Sequence, residues 1–447
     1  MDIMTETEHH PLPAGRVHLL GAVHGVTGAM TRVEWGGASI LVDCGVAQGE
    51  DAATWQFPEA ARDSGALVLT HGHNDHCGSL PALLEGGWDG PIYGTRPTLE
   101  IADFVLTDGL RLQGANDDEI AGFRARFKAL SRAIGYDQAF DVPGFSGQLT
   151  FREAGHILGS ASVEIVHGDA RMLCSGDLGR PGSPILRDYC TSWAAGPALE
   201  LVLMECTYGD GEHRMSHGDV ELELERILQR AAQDGGHVLV PSFAIGRTQT
   251  LLYHLNSLVE SGRAPDMLVA VDTPLGIKVT DLYQRHRGLF DRESHDKLAS
   301  GDDPLSFRDL YAVRRAQDSA RLHTVSDPML IIAGSGMCTG GRVLSHLIEL
   351  LPSEQHCVLF VGYQARGTLG RTIQNVARRG GGSVRIQGQD VPVRARIETL
   401  SGLSAHADRD ELLRWLRALP SPRRVALHHG EPEAQSAFAH FAGGGTP

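Results

Sequence analysis

The chain has 447 residues, 42% hydrophobic and 21% charged, an ordinary soluble composition that suggests about two domains. No apolar run approaches the roughly 20 residues a bilayer-crossing helix needs, and residues 1–13 are polar and acidic without a signal-peptide core, so the expected location is the cytoplasm with no membrane partner. The formal net charge of -15 argues against a nonspecific nucleic-acid binder, and seven scattered cysteines with no C-x-x-C pair argue against a secreted disulfide framework.

In chain order, short apolar strands come first: 16–21, 31–35, 39–43 and 66–70, separated by Gly-rich turns. A helix start follows at Gly78 to Leu84, and 97–134 has apolar residues at helical spacing. Strands resume at 148–151, 162–166, 171–174 and 199–204. From about Cys206 the texture changes. A helical pattern at 220–232 leads into strand, loop and helix at 237–252, and the same order recurs at 329–344 and at 357–363. Strands alternating with helices imply a parallel sheet. Residues 285–320 are the least regular part, charged and read as surface loop or helix. Between Gln364 and Arg396 lie seven arginines (366, 371, 378, 379, 385, 394, 396) and one acid, Asp390. Such a strip can follow a phosphate backbone, although a charge run taken alone is usually a solvated face.

The most informative stretch is His71-Gly-His73-Asn-Asp75-His76, directly after the strand at 66–70. Imidazole and carboxylate hold divalent zinc, and a strand end is rigid on one side and open on the other, as a catalytic metal site requires. Other strand ends offer His156, Asp177 and His429. Each alone is more often a packed or surface residue. Together with the first cluster they make five histidines and two aspartates, enough for two zinc ions with Asp177 as the bridging carboxylate. His428 beside His429 leaves the last ligand ambiguous by one position, and Gly430 and Glu431 favour His429.

The order Asp43, His71-x-His73-x-Asp75-His76, His156, Asp177 resembles the metallo-β-lactamase superfamily, whose fold is an αβ/βα sandwich with two zinc ions. The resemblance implies that His71, His73 and His156 hold one zinc, that Asp75, His76 and His429 hold the other, and that Asp177 bridges. Asp43 is then a carboxylate that orients a ligand histidine or the loop. Glu205-Cys-Thr-Tyr-Gly, Ser404-Ala-His406-Ala-Asp408 and Leu427-His-His429-Gly-Glu resemble the three diagnostic motifs of the β-CASP nucleases, and the histidine in the third looks like the RNA-processing branch, the relatives of the cleavage-and-polyadenylation endonuclease. The implied architecture is α/β: a discontinuous metallo-β-lactamase domain, 1–205 and 399–447, with an α/β β-CASP domain inserted at 206–398.

Two metals can hold a hydroxide between them and polarise a phosphoryl oxygen, so the expected chemistry is phosphodiester hydrolysis of single-stranded RNA by a two-metal, bridging-hydroxide mechanism. His406 is the candidate general acid for the leaving 3′-oxygen, with Glu205 holding and charging it; Asp75 and Asp43 complete the catalytic set. The Gly-rich turn from Ser335 to Arg342 lacks a P-loop lysine, so it is read as an anion site for an RNA phosphate. Ser242, Arg247, Ser335, Gly336, Thr339, Arg342 and Arg371 are the expected phosphate contacts. The sequence leaves open endonuclease against 5′→3′ exonuclease action, and is compatible with a homodimer. Two other classes stay in view: a small-molecule zinc hydrolase of thioesterase or lactonase type, for which the second domain and His406 have no clear use, and a noncatalytic RNA-processing scaffold, which the complete ligand set disfavours.

Overall fold

The computed structural model describes residues 2–5, 7–213 and 215–444. The chain forms two compact units. One comprises 1–182, 186–212 and 405–447; the other comprises 183–185 and 213–404.

The first unit is built on two seven-stranded sheets. In one, the order is Asp2–Met4, Arg424–His428, Ala198–Glu205, Ala170–Cys174, Ala161–His167, Phe145–Glu153 and Ala139–Val142. The other runs His9–Leu12, Gly15–Gly21, Met30–Trp35, Ala38–Val42, Leu67–Val68, Ile92–Gly94 and Ser131–Ala133. Side chains alternate across each strand, and the core follows that period of two. Leu201 and Leu203 join Val33, Trp35, Ile40 and Val68 in the core between the sheets. Their neighbours Val202 and Met204 point to the opposite face, where they meet Trp415 and Leu416 of the helix Arg409–Ala418 and Phe438 of the helix Pro432–Ala442. Helix, sheet, sheet is thus set by alternating apolar residues in the central strands. On the other sheet, the helix Arg96–Leu112 buries Leu99, Ile101 and Ala102.

The second unit carries a six-stranded sheet in the order Leu310–Ala312, Leu268–Asp272, Met329–Ala333, Val238–Pro241, Cys357–Phe360, Arg396–Thr399, with every pairing parallel. Parallel strands need crossovers. The helices Arg247–Glu260, Pro274–Arg285, Val343–Leu350 and Leu369–Arg378 supply them. One face packs Leu239, Ile331, Val358 and Phe360 against Val343, Leu347 and Ile373, and a hairpin of Ser383–Ile386 with Gln389–Pro392 adds Val384 and Val391.

Several elements differ from the sequence reading. The helical stretch 97–134 is two helices, Arg96–Leu112 and Asp117–Leu130, followed by the strand Ser131–Ala133. The chain turns at Gly114 and restarts on Asn116, whose side chain accepts from the backbone of Asp118 and Glu119 while Glu119 reaches back in a capping box. The polar N-terminal stretch adds the strands Asp2–Met4 and His9–Leu12. The stretch 285–320 contains the helix Arg292–Ser300, capped by Asp291, and the edge strand Leu310–Ala312. The strand at 66–70 is reduced to Leu67–Val68; beyond it the Thr70 N–H donates to the Asp43 side chain and the Thr70 carbonyl accepts from Ala161 of the facing sheet. Arg396–Thr399 pairs with Cys357–Phe360, so the second unit runs beyond 398, and Cys206 is tied by its N–H to the His429 carbonyl, so the first unit runs beyond 205. Among the described residues no helix is long and apolar enough to cross a membrane.

The second unit has a buried ionic centre. Asp272, at the end of its strand, accepts from Ser319 and Arg342 and from the Nε2–H of His346 at 2.7 Å; the other nitrogen of His346 lies 2.7 Å from His323 Nε2. Burial works to raise the Asp272 carboxyl, but His346, Ser319 and Arg342 hold it below the usual carboxylate range. A lowered folded pKa stabilises above the unfolded value of about 3.9, and this is lost as pH falls through the folded value. Asp272→Asn is expected to cost about 3–5 kcal/mol at neutral pH, with the gap to wild type closing below about pH 4; denaturant melts across pH check it.

Candidate metal centre and active site

The first unit gathers the predicted ligands at the ends of its strands. His71, His73, His156 and Asp177 each offer an atom, all within 4.8 Å of one another, and Asp75, His76 and His429 do the same. Asp177 lies between the sets. Its Oδ2 is 3.5 Å from His71 Nε2 and 3.6 Å from His156 Nε2, while its Oδ1 is 3.3 Å from His76 Nε2 and 3.6 Å from His429 Nδ1. His429, not His428, joins the cluster; His428 is buried, and burial pushes its imidazole down to about 3.

The outer nitrogens explain which inner ones are available. His71 Nδ1 donates to Thr70 Oγ1 at 3.1 Å, and that hydroxyl donates onward to Asp43 Oδ2 at 2.8 Å. His76 Nδ1 donates to the same Asp43 oxygen at 2.8 Å, and His156 Nδ1 to the Ala405 carbonyl at 3.2 Å. With those protons placed outward, the Nε2 atoms of His71, His76 and His156 point inward, and Asp177 with Asp43 favours a charged His76 ring against its burial. His73 Nδ1 lies 3.1 Å from His71 Nε2 and 3.2 Å from His156 Nε2. A single proton on His73 Nδ1 cannot serve both of those nitrogens well, whereas a cation among the three would accept from all of them. Asp177 Oδ1 is buried without a hydrogen-bond partner, a costly state for a carboxylate oxygen that a cation relieves. Burial, ahead of every other influence, keeps His71, His73 and His156 below the usual imidazole range, in the neutral form that binds metal. The donor set therefore fits a pair of divalent cations.

Two residues pay local strain for this arrangement. Asp43 (φ 60°) and His429 (φ 49°) both adopt the left-handed region, unusual for non-glycine residues. The loops also approach closely: a Cβ at Gly45 would lie 1.7 Å from the Asp75 carbonyl oxygen, and one at Gly179 would lie 1.9 Å from that of Gly155, so neither position admits a side chain.

His406 stands beside the cluster. Its loop is zipped to that of Asp177 by Arg180 N–H to the Ala405 carbonyl and Ala407 N–H to the Leu178 carbonyl. Its Nδ1 meets Glu205 Oε1 at 3.2 Å, and its Nε2 lies 4.0 Å from Asp177 Oδ2. Glu205 is fully buried at the end of its strand and also accepts the N–H groups of Leu178 and Thr207. Burial opposes the charged imidazole, but Glu205, with Asp177 and Asp75 beyond, pushes His406 up to about 9.

The seven expected phosphate contacts lie in the second unit. Ser242 is buried against Thr248, and Ser335 Oγ accepts the Thr339 N–H. The Arg247 guanidinium bonds the Val361 carbonyl, and that of Arg342 is occupied by Asp272 and the carbonyls of Val313 and Arg314. Gly336 is buried beneath Phe243, and Arg371 stands 5.7 Å over the Tyr363 ring. Sequence reasoning missed Thr70 and the Ala405 carbonyl, although Thr70 immediately precedes the first ligand.

Family models match along the chain: the metallo-beta-lactamase superfamily at residues 26–242, a Beta-Casp domain at 248–373 and a Zn-dependent metallo-hydrolase RNA specificity domain at 390–442. Ribonuclease TTHA0252 of Thermus thermophilus is 38% identical over 423 residues, covering 94% of each protein. The chain belongs to the β-CASP family of the metallo-β-lactamase superfamily. Transcription termination factor FttA of Methanocaldococcus jannaschii, 31% identical over 445 residues, is similar over 95% of this chain and 68% of its own length. A crystal structure of an Enterococcus faecalis V583 protein of unknown function shares the fold, with a TM-score of 0.54 at 12% identity over 94% of this chain and 95% of the other. As a β-CASP protein the chain is a metal-dependent hydrolase of the nuclease class. In β-CASP terms, the match at 26–242 holds Asp43, six of the seven expected ligands and Glu205, and the match at 390–442 holds His406 and His429.

Glu205 is expected to set the pH range of this β-CASP active site. A protonated His406 is lost as pH rises through its raised pKa, so Glu205→Gln should move the descending limb of kcat to lower pH; a full pH–rate profile of both proteins checks it.

Proposed function

We propose that the protein is a zinc-dependent ribonuclease that hydrolyses phosphodiester bonds of single-stranded RNA, with two zinc ions, one held by His71, His73 and His156 and one by Asp75, His76 and His429, bridged by Asp177. The observation that carries the reading is Asp177 with one oxygen toward each imidazole set and the His406–Glu205 pair beside it. Bound there, the ions would bring a water's pKa toward neutrality and polarise the scissile phosphate. Asp43 and Thr70 hold the His71 and His76 rings in the required tautomers.

The leaving 3′-oxygen of a cut strand is strongly basic and needs a proton. His406 supplies it from Nε2, while Glu205 accepts from Nδ1 and keeps the ring charged and aimed. The products are a 5′-phosphate and a 3′-hydroxyl. Single-stranded RNA as substrate is supported by the ribonuclease name of the Thermus thermophilus relative and by the RNA specificity domain description at 390–442. Whether internal bonds or 5′ ends are cut is decided by comparing a 5′-blocked RNA with its 5′-monophosphate counterpart.

Purified protein with zinc is expected to cleave labelled unpaired RNA and to turn over bis(p-nitrophenyl) phosphate faster than a chromogenic ester. His73→Ala should lose at least 100-fold in kcat. Absence of cleavage by wild type, or unchanged cleavage by His73→Ala, overturns the proposal. Elemental analysis should find about two zinc ions per wild-type chain and clearly fewer in Asp177→Ala, which loses the bridge.

A further inference from the structure

Among the described residues three large aromatic side chains are exposed: Phe243 (38%), Tyr311 (55%) and Tyr363 (59%). Two of them stand on one edge of the second unit's sheet. Phe243 follows the strand Val238–Pro241, and Tyr363 follows Cys357–Phe360, the next strand in the sheet. On the other side of Val238–Pro241 lies Met329–Ala333, whose following loop holds Ser335 and Gly336. All three strands are parallel, so the three loops leave the sheet at the same edge, where open α/β sheets bind their ligands.

The loops are stitched into one surface. Gln364 donates to the Gly336 and Gly362 carbonyls, the Gly370 N–H reaches the Met337 carbonyl, and Arg247 bonds the Val361 carbonyl. A Cβ at Gly336 would lie 2.8 Å from the Phe243 ring, and one at Gly362 would lie 3.6 Å from it, so the ring lies against bare backbone on two loops. Arg371 stands 5.7 Å over Tyr363, and Arg366 is exposed in the same loop. Aromatic faces held by rigid backbone, with guanidinium groups at their borders, match what an unpaired nucleic-acid strand presents: flat bases at intervals along a polyanion.

We propose that Phe243 and Tyr363 are a stacking platform for unpaired nucleobases at this sheet edge, with Arg371 and Arg366 facing the phosphates between them. This rests on the reading of the protein as an RNA hydrolase and goes beyond it: the platform grips bases of any identity and selects unpaired over paired strands. Tyr363 is the more exposed ring. Phe243 is anchored from below by Gly336 and Gly362.

The test is fluorescence anisotropy of a labelled oligoadenylate of about twelve nucleotides, with zinc-loaded, full-length protein carrying His406→Ala to prevent cutting. A strand of equal length built from abasic units keeps the phosphates and removes the bases. Phe243→Ala and Tyr363→Ala are each expected to weaken binding of oligoadenylate by about 5- to 150-fold, the effect of losing one stacked base, and to leave the abasic strand unaffected. Tyr363→Phe, which keeps the ring, restores binding. Unchanged affinity in both alanine variants overturns the proposal, as does an equal loss on the abasic strand, which would mark a structural or electrostatic role. If the wild type neither binds nor cuts RNA, the functional reading falls and the platform with it; if it cuts RNA with both alanine variants binding normally, only the platform falls.

Discussion

The first unit depends on one carboxylate. Asp177 is buried between two groups of imidazoles, with one oxygen facing each. A carboxylate there without countercharge would be expelled or protonated, and imidazole nitrogens 3.1 Å apart would separate. The arrangement persists because His71, His76 and His156 are locked from behind. Thr70, Asp43 and Ala405 hold the rings from outside, the sheets fix the loops, and Gly45 and Gly179 let the loops pass within contact distance. The site is a set of constraints satisfied together, and the core between the sheets holds its parts in place.

Both units use the same device, a loop at the carboxyl end of a strand. In the first unit these loops bear imidazole and carboxylate, and in the second they bear glycine, hydroxyl, arginine and aromatic rings. A sheet edge aims several short loops at one place while the strands carry the stability. Asp272 plays in the second unit the part that Asp43 plays in the first. Each is a buried acid at a strand end that fixes other side chains and has no unoccupied role of its own.

The parts legible in the sequence were those where chemistry is concentrated. His71 to His76 puts four ligand-type side chains in six positions after an apolar strand, and no ordinary surface loop requires that. The alternation of strands and helices from 237 onward likewise implied a parallel sheet, because repeated β-branched runs with helical segments between them have few other solutions. His156, Asp177 and His429 are single residues in unremarkable loops, and their meeting rests on long-range topology that periodicity does not carry. The Thr70 hydroxyl and the Ala405 carbonyl were not legible, since any threonine and any peptide group look alike until their neighbours are known. Arg342 shows the opposite difficulty. Its place beside a Gly-rich turn suggested an anion, but its side chain reaches across to Asp272, 70 positions earlier. Short edge strands such as Asp2–Met4 and Leu310–Ala312 also escaped notice, because three residues are too few to show alternation.

The strand Arg424–His428 enters its sheet between Asp2–Met4 and Ala198–Glu205, and the next residue, His429, meets His76 across 353 positions of chain. During synthesis the early strands, His71, His73, Asp75, His76, His156 and Asp177 emerge long before this strand does. A ribosome making the second unit therefore carries a first unit with a gap in its sheet and without His429 beside His76. Contacts of such long sequence separation form slowly, and this one waits on the residues between. A hydrolase assembled in that order lacks His429 beside His76 until the residues of the second unit have been made.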